Sequence, residues 1–297
     1  MAYMNTQEIN NLVRDLAARL APVYPDSAWA QRIAWRLLEH VTGKPRTALI
    51  TRTLVAVSAG EQRALETAVV ELVEQHKPLA YILGTVEFLG LTLAIEPPTL
   101  IPRNETEQWV GALVARLQQY RRQPLKILDL CTGSGCIALA LAHQFPLSSV
   151  LGVDIAPQAL ELARRNARKL GLTNVVFIAS DLYNNLDNNL APASLFDLIV
   201  TNPPYIAPEE LASLEPSVAR WEDPGALIAQ DNGLALIKRI ICDAPKFLNP
   251  QSPLAQVWIE IGHTQTGPVS ELMSASGFSE VQVLDDLAGI PRVVIGK

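Results

Sequence analysis

Residues 127–142 read ILDLCTGSGCIALALA. An apolar run carries Asp129 near its end, a glycine turn follows, and the residues after Gly135 are apolar and helix-forming. This strand, glycine turn and helix together open a nucleotide-binding βα unit. Gly133 and Gly135 allow a tight turn and let the backbone approach a ligand with no Cβ between them. Asp154 closes the next apolar run about 20 residues on, where a carboxylate can accept from both ribose hydroxyls.

Outward from this unit, the apolar segments LKILDL, SVLGVDI, NVVFIAS, FDLIVTN and LAQVWIEI alternate with amphipathic stretches such as Pro157–Leu170. Strands that are apolar almost throughout, alternating with helices, predict a parallel sheet covered on both faces. The expected fold class is therefore α/β, a doubly wound, Rossmann-like domain over residues 99–297. SEVQVL and PRVVIG are expected to close its edge as a hairpin-like pair. TVEF and LTLAI, joined around Leu89-Gly90, predict a β-hairpin linker within 81–98.

Residues 1–80 read as a small helical-bundle domain. Ile9, Leu12, Val13, Leu16 and Leu20 recur at helical spacing behind a cap at Asn5 or Thr6. Trp29, Ile33, Leu37 and Val41 form a second stripe, opened by Asp26 or Ser27 and stopped by Gly43. Ser58 with Glu61 is a capping box ahead of Leu65, Val69, Leu72 and Val73, and Pro78 ends that run.

Composition narrows the function classes. The 297 residues are 49% hydrophobic and 18% charged, as in a globular chain, with room for one large domain or two unequal ones. A net charge of −6 speaks against broad nucleic-acid binding, so no direct nucleic-acid partner is expected. No apolar run reaches the roughly 18 residues of a membrane span. The first twenty residues lack an apolar stretch and carry Glu8 and Asp15, so an ordinary helix is expected there rather than a targeting segment. Cys131, Cys136 and Cys242 suit a reducing compartment better than a disulfide framework, and neither they nor the four scattered histidines suggest a metal site. Cytoplasm is the expected location, an organelle matrix the alternative, and a monomer the default state.

The glycine loop alone leaves the nucleotide open. Gly133, Gly135 and Ala138 satisfy the dinucleotide fingerprint, which a nicotinamide-dependent oxidoreductase would share. Two features favour S-adenosylmethionine. Asp129 lies before the glycines, where it can address the amino-acid part of that cofactor. Asp181 and Leu182 follow the third strand, where they can face the adenine. The cofactor candidates are Asp129, Cys131, Thr132, Gly133, Ser134, Gly135, Asp154, Asp181, Leu182 and Asn202.

The stretch FDLIVTNPPYI then supplies a chemistry. In an open parallel sheet, ligands bind at the carboxyl ends of central strands, where the strand order reverses. Asn202 ends the fourth such strand. Methylating an NH₂ on an sp² carbon requires two acceptors on its two hydrogens, so that the nitrogen lone pair is aimed at the methyl donor. Asn202 Oδ1 and the Pro203 carbonyl can be those acceptors. Proline brings no competing N–H, and Pro203 and Pro204 each bias the preceding residue to extended geometry. Tyr205 offers a flat face for a planar amide or base. Asn202, Pro203, Pro204 and Tyr205 are thus the catalytic candidates.

PLAYILGTVEFLG, LIPRNETE, ILDLCTGSGCIALALA, LGVDIAPQALELARRNARKLGL and FDLIVTNPPYI together resemble the release factor glutamine methyltransferases, the PrmC/HemK family, over nearly the whole chain. The resemblance implies methyl transfer from S-adenosylmethionine to the Gln side-chain amide in the Gly-Gly-Gln loop of peptide chain release factors. By position it assigns Cys131 to Gly135, Asp154, Leu182 and Asn202 to the cofactor and Asn202 to Tyr205 to the substrate amide. It also implies that the helical domain recognises the release factor. Asn104 stands where the family's PRPETE segment usually has proline, and Cys131 where glycine is common. The alternatives are an amino methyltransferase of RNA or DNA bases, a nicotinamide-dependent oxidoreductase, and an inactive termination scaffold.

Overall fold

The computed structural model describes residues 2–51, 55–186 and 195–297. The chain divides into two compact units, Met1–Gly84 with Pro216–Trp221, and Thr85–Glu215 with Glu222–Lys297.

The first unit is built on three long helices, α1 (Thr6–Leu20), α2 (Ser27–Thr42) and α4 (Ala59–Val73), with the short helices α3 (Arg46–Thr51) and α5 (Leu79–Leu83). Their starts follow the expected caps. The Glu8 N–H donates to Asn5 Oδ1 at 3.0 Å while the Asn5 N–H donates to Glu8 Oε2 at 2.7 Å. Ser58 and Glu61 make the same reciprocal pair ahead of α4. Asp26 caps α2, and Gly43 ends it in a left-handed conformation. Ile9, Val13, Leu16 and Leu20 meet Ile33, Leu37 and Leu38 of α2 and Leu65, Val69 and Leu72 of α4 in one apolar cluster. Each such side chain contributes about 1.5–3 kcal/mol relative to exposure.

Two features of this unit differ from the sequence expectation. Helix α4 stops at Val73, well before Pro78, with Glu74 as its cap. The unit also holds an antiparallel strand pair, β1 (Ala2–Met4) with β2 (Val55–Val57). Three-residue strands are too short to display an alternation that periodicity could detect.

The second unit opens with the hairpin β3 (Thr85–Phe88) and β4 (Leu91–Ala94), followed by α6 (Asn104–Leu117) and a 3₁₀ turn, Gln118–Tyr120. Alternating strands and helices then follow: β5 (Lys126–Leu130), α7 (Cys136–Gln144), β6 (Ser149–Asp154), α8 (Pro157–Leu170), β7 (Val175–Ala179), β8 (Leu198–Thr201), α9 (Ala235–Phe247), β9 (Gln256–Glu260), α10 (Thr266–Ala275), β10 (Val281–Asp285) and β11 (Pro291–Gly296). The sheet order is β10-β11-β9-β8-β5-β6-β7. Strands β5 to β9 are parallel, whereas β11 runs antiparallel to both β9 and β10.

Both faces of the sheet are covered. Ile127, Val150, Leu198 and Val200 point into one core with α6, α7 and α8, and Leu128, Leu151 and Ile199 into the other with α9 and α10. Two buried faces explain strands that are apolar almost throughout. The order reverses between β5 and β8, which places the ligand crevice at their carboxyl ends. Among the described residues no helix is long and apolar enough to cross a membrane.

Candidate active site

The glycine loop is held by its own polar groups. Asp129, fully buried in β5, accepts from the Thr132 hydroxyl at 2.6 Å and from the Ala138 N–H at 3.1 Å through Oδ2. Its Oδ1 has no hydrogen-bond partner among the described residues. Burial pushes this carboxyl up to about 7. The Thr132 N–H donates to the Val153 carbonyl, and the Gly133 N–H to Asp154 Oδ2 at 2.8 Å. Asp154 Oδ1 accepts from the Ala156 N–H, so one carboxylate fixes both the glycine loop and the turn into α8. Gly135 caps α7 at φ 83°, and a Cβ there would lie 3.0 Å from that of Ala163. Cys131 takes φ 57°, a left-handed conformation that costs roughly 1–2 kcal/mol for a residue with a Cβ. A glycine at this position would not bear that cost.

Strand β8 delivers Asn202 beside this loop. The Thr201 hydroxyl donates to the Leu130 carbonyl at 2.8 Å and ties the end of β8 to that of β5. Beyond it the NPPY backbone is gripped from another part of the chain. Gln265 Nε2 donates to the carbonyls of Tyr205 at 2.9 Å and Asn232 at 3.1 Å, while its Oε1 accepts from the Gly262 N–H. Gly233, at φ 80°, passes so close that a Cβ would lie 1.9 Å from the Tyr205 carbonyl oxygen.

These elements line a cavity of about 370 Å³, within the usual range for small-molecule sites. Cys131, Gly133, Asp154, Asp181, Leu182, Asn202 and Pro204 form part of its wall. The other expected residues lie behind it. Thr132, Ser134 and Gly135 are buried within the loop, Asp129 is buried in β5 before it, and Pro203 and Tyr205 follow Asn202 without lining the cavity.

The structure adds wall residues that the sequence reading missed: Thr99, Leu100 and Asp223. The Asp223 N–H donates to the Pro98 carbonyl at 2.7 Å, and its neighbour Glu222 is a buried carboxylate paired with Arg103 at 2.6 Å. The residues of the LIPRNETE segment thereby acquire individual tasks. Arg103 holds Glu222, Thr106 donates to Glu260, and Glu107 accepts the Leu89 N–H at the hairpin turn.

Three carboxylates, Asp154, Asp181 and Asp223, face the cavity against one guanidinium, Arg239, which pairs with Asp181 at 2.8 Å. Burial raises the pKa of Asp154, opposed by its backbone hydrogen bonds and reinforced by the charge of Asp223. A negatively biased cavity suits a ligand carrying positive charge and disfavours a pyrophosphate.

Fold and site define a methyltransferase domain. A family model described as "Methyltransferase domain" matches residues 122–265, and one described as "PrmC N-terminal domain" matches residues 11–84. The chain is 38% identical to a release factor glutamine methyltransferase of Salmonella typhimurium, over 92% of this chain and 94% of that protein. It is 37% identical to one of Burkholderia pseudomallei, over 95% of each. Among solved structures, the hMettl16 catalytic domain in complex with a MAT2A 3′UTR hairpin shares the fold at a TM-score of 0.55 and 16% identity, covering 80% of this chain and 81% of that one. The chain belongs to the release factor glutamine methyltransferase family.

Proposed function

We propose that the protein transfers a methyl group from S-adenosylmethionine to the side-chain amide nitrogen of the Gln in the Gly-Gly-Gln motif of peptide chain release factors. The observation that carries this reading is the meeting of Asn202 and Pro204 with Gly133, Asp154 and Leu182 on one cavity wall, in a chain of this family. Residues 1–80 serve as the recognition domain, 81–98 as the hairpin linker and 99–297 as the catalytic domain. The protein acts in the cytoplasm, a location that its three free thiols suit, and as a monomer.

The cofactor supplies an electrophilic methyl group on a positively charged sulfur. Asp154 would hold the ribose hydroxyls, Gly133 would allow close approach of the backbone, and Asp181 or the backbone of Leu182 would face the adenine. Asp223 and Asp154 supply the negative field that a cationic ligand needs. Asp129 acts from beneath, holding Thr132 and Ala138 so that the loop keeps its shape.

Asn202 Oδ1 and the Pro203 carbonyl accept the two amide hydrogens of the substrate glutamine. That turns its nitrogen lone pair toward the methyl group and favours the positive charge that grows on nitrogen. With the cofactor bound, its C–S bond would break as the C–N bond forms, and the surplus N–H proton would pass to water, because alkylation makes the nitrogen acidic. No strong base is required. Tyr205 supports the planar amide on its ring face.

The test is methyl transfer to a purified release factor, with mass spectrometry locating the product. One added methyl on the glutamine of Gly-Gly-Gln is expected. Label appearing on RNA or DNA and not on the release factor would overturn the substrate assignment.

A further inference from the structure

Asn202 can serve as an acceptor only if its carboxamide is turned the right way, and an amide side chain has two orientations of nearly equal shape. A group outside the NPPY motif therefore has to choose between them. Asn202 Nδ2 lies 3.2 Å from Thr106 Oγ1, on the first turn of α6. The Thr106 hydroxyl has one proton, and it donates that proton to Glu260 Oε2 at 2.7 Å. The same oxygen accepts from the Trp109 indole N–H at 2.7 Å, and the Tyr205 hydroxyl donates to Glu260 Oε1 at 3.4 Å. Thr106 and Glu260 are each 1% exposed, so water does not compete for these bonds.

We propose that Glu260 and Thr106 are positioning residues for methyl transfer: Glu260 fixes the direction of the Thr106 hydroxyl, and Thr106 in turn fixes the Asn202 carboxamide with its NH₂ inward and Oδ1 toward the substrate amide. With its proton committed to Glu260, Thr106 Oγ1 can only accept, so Asn202 must present its NH₂. The flipped carboxamide would set two acceptor oxygens against each other or strip Glu260 of a donor. Trp109 completes the device, because an indole N–H can only donate and so occupies Glu260 Oε2 as a second donor beside the Thr106 hydroxyl. Glu260 ends β9, Thr106 sits on α6 and Asn202 directly follows β8, so three separate elements meet at one side chain.

The inference rests on the proposed amide transfer, which the wild-type protein tests by itself. Given wild-type transfer to the release factor, Thr106→Val removes the relay with little change of volume. It is expected to lower kcat at least about tenfold, while affinity for S-adenosylmethionine, by calorimetry, stays within about threefold. Thr106→Ser, which restores the hydroxyl, is expected to recover most of that loss. Glu260→Gln is the second variant. Its amide oxygen can still accept from Thr106 and Trp109, so it is expected to retain more kcat than Thr106→Val. A Thr106→Val protein with wild-type kcat would overturn the proposal. So would equal losses in the Val and Ser variants, which would mark a packing role.

Discussion

The two units of this chain share apolar cores and differ in the polar groups buried with them. In the helical unit, Met1–Gly84 with Pro216–Trp221, the fully buried residues are apolar, and polar side chains work at the helix ends. Among the described residues, the buried polar ones, Thr99, Thr106, Asp129, Thr132, Ser134, Ser148, Asn166, Ser180, Thr201, Glu222, Glu260 and Gln265, all lie in the other unit. Burying a polar group costs free energy unless it is hydrogen-bonded, so such groups mark places where geometry is specified in addition to stability. Asn166 shows the pattern: it donates to the carbonyls of Ala94 and Ser134 and accepts from the Ala94 N–H, tying the hairpin to the glycine loop. Both units rest on buried apolar area, and the second adds directed bonds that fix the geometry of its loops.

This contrast is open to attack at several points. The largest effect is expected at Asn202. Asn202→Ala removes one of two acceptors aimed at the transition state, and losses of about 10²–10³ in kcat are usual for such groups. Because Asn202 is half-buried at the cavity wall, its thermal midpoint should stay near that of the wild type. Turnover assays beside thermal melts check both parts.

Leu37→Ala attacks the other unit. Leu37 is fully buried among α1, α2 and α4, and truncation should cost about 2–5 kcal/mol of stability in denaturant titrations. Affinity of the folded protein for S-adenosylmethionine should not change, because the substitution touches none of the cavity residues. A loss of cofactor affinity without a loss of stability would contradict the division of labour.

A smaller, pH-dependent effect is expected at Asp129. Its carboxyl titrates near 7 in the folded protein, raised from 3.8 chiefly by burial. Between those values the folded state keeps a proton that the unfolded state has released. Stability therefore falls as pH rises through that window and levels off above about 7. Asp129→Asn should abolish that slope and stabilise the protein at pH 8, by an amount on the order of a few kcal/mol at most. Parallel pH–stability curves for the two proteins would refute the assignment.

What the sequence revealed follows the same line. Local signals were legible: the glycine turn with Asp154, the apolar strands, the helix caps at Asn5, Asp26 and Ser58, and NPPY at the end of a strand. Each is set by neighbours close in the chain, or by a strand buried on both faces. Glu260, Thr106, Gln265 and Asp223 were not legible, because their partners lie far along the chain and only the folded sheet brings them together. One signal was available. Glu260 ends the apolar strand LAQVWIEI as Asp154 and Asn202 end or follow theirs, and the carboxyl ends of parallel strands are where function gathers. Asp129 needed the fold for another reason: whether a carboxylate faces a ligand or braces a loop depends on the side chains packed over it.

The most direct measurement is a crystal structure of the protein with S-adenosylhomocysteine and a Gly-Gly-Gln peptide. The Asn202 Oδ1 and the Pro203 carbonyl should each accept a hydrogen from the glutamine amide, with Asn202 Nδ2 still donating to Thr106. A glutamine amide bound away from both oxygens, or an Asn202 carboxamide turned with its NH₂ toward the substrate, would contradict it.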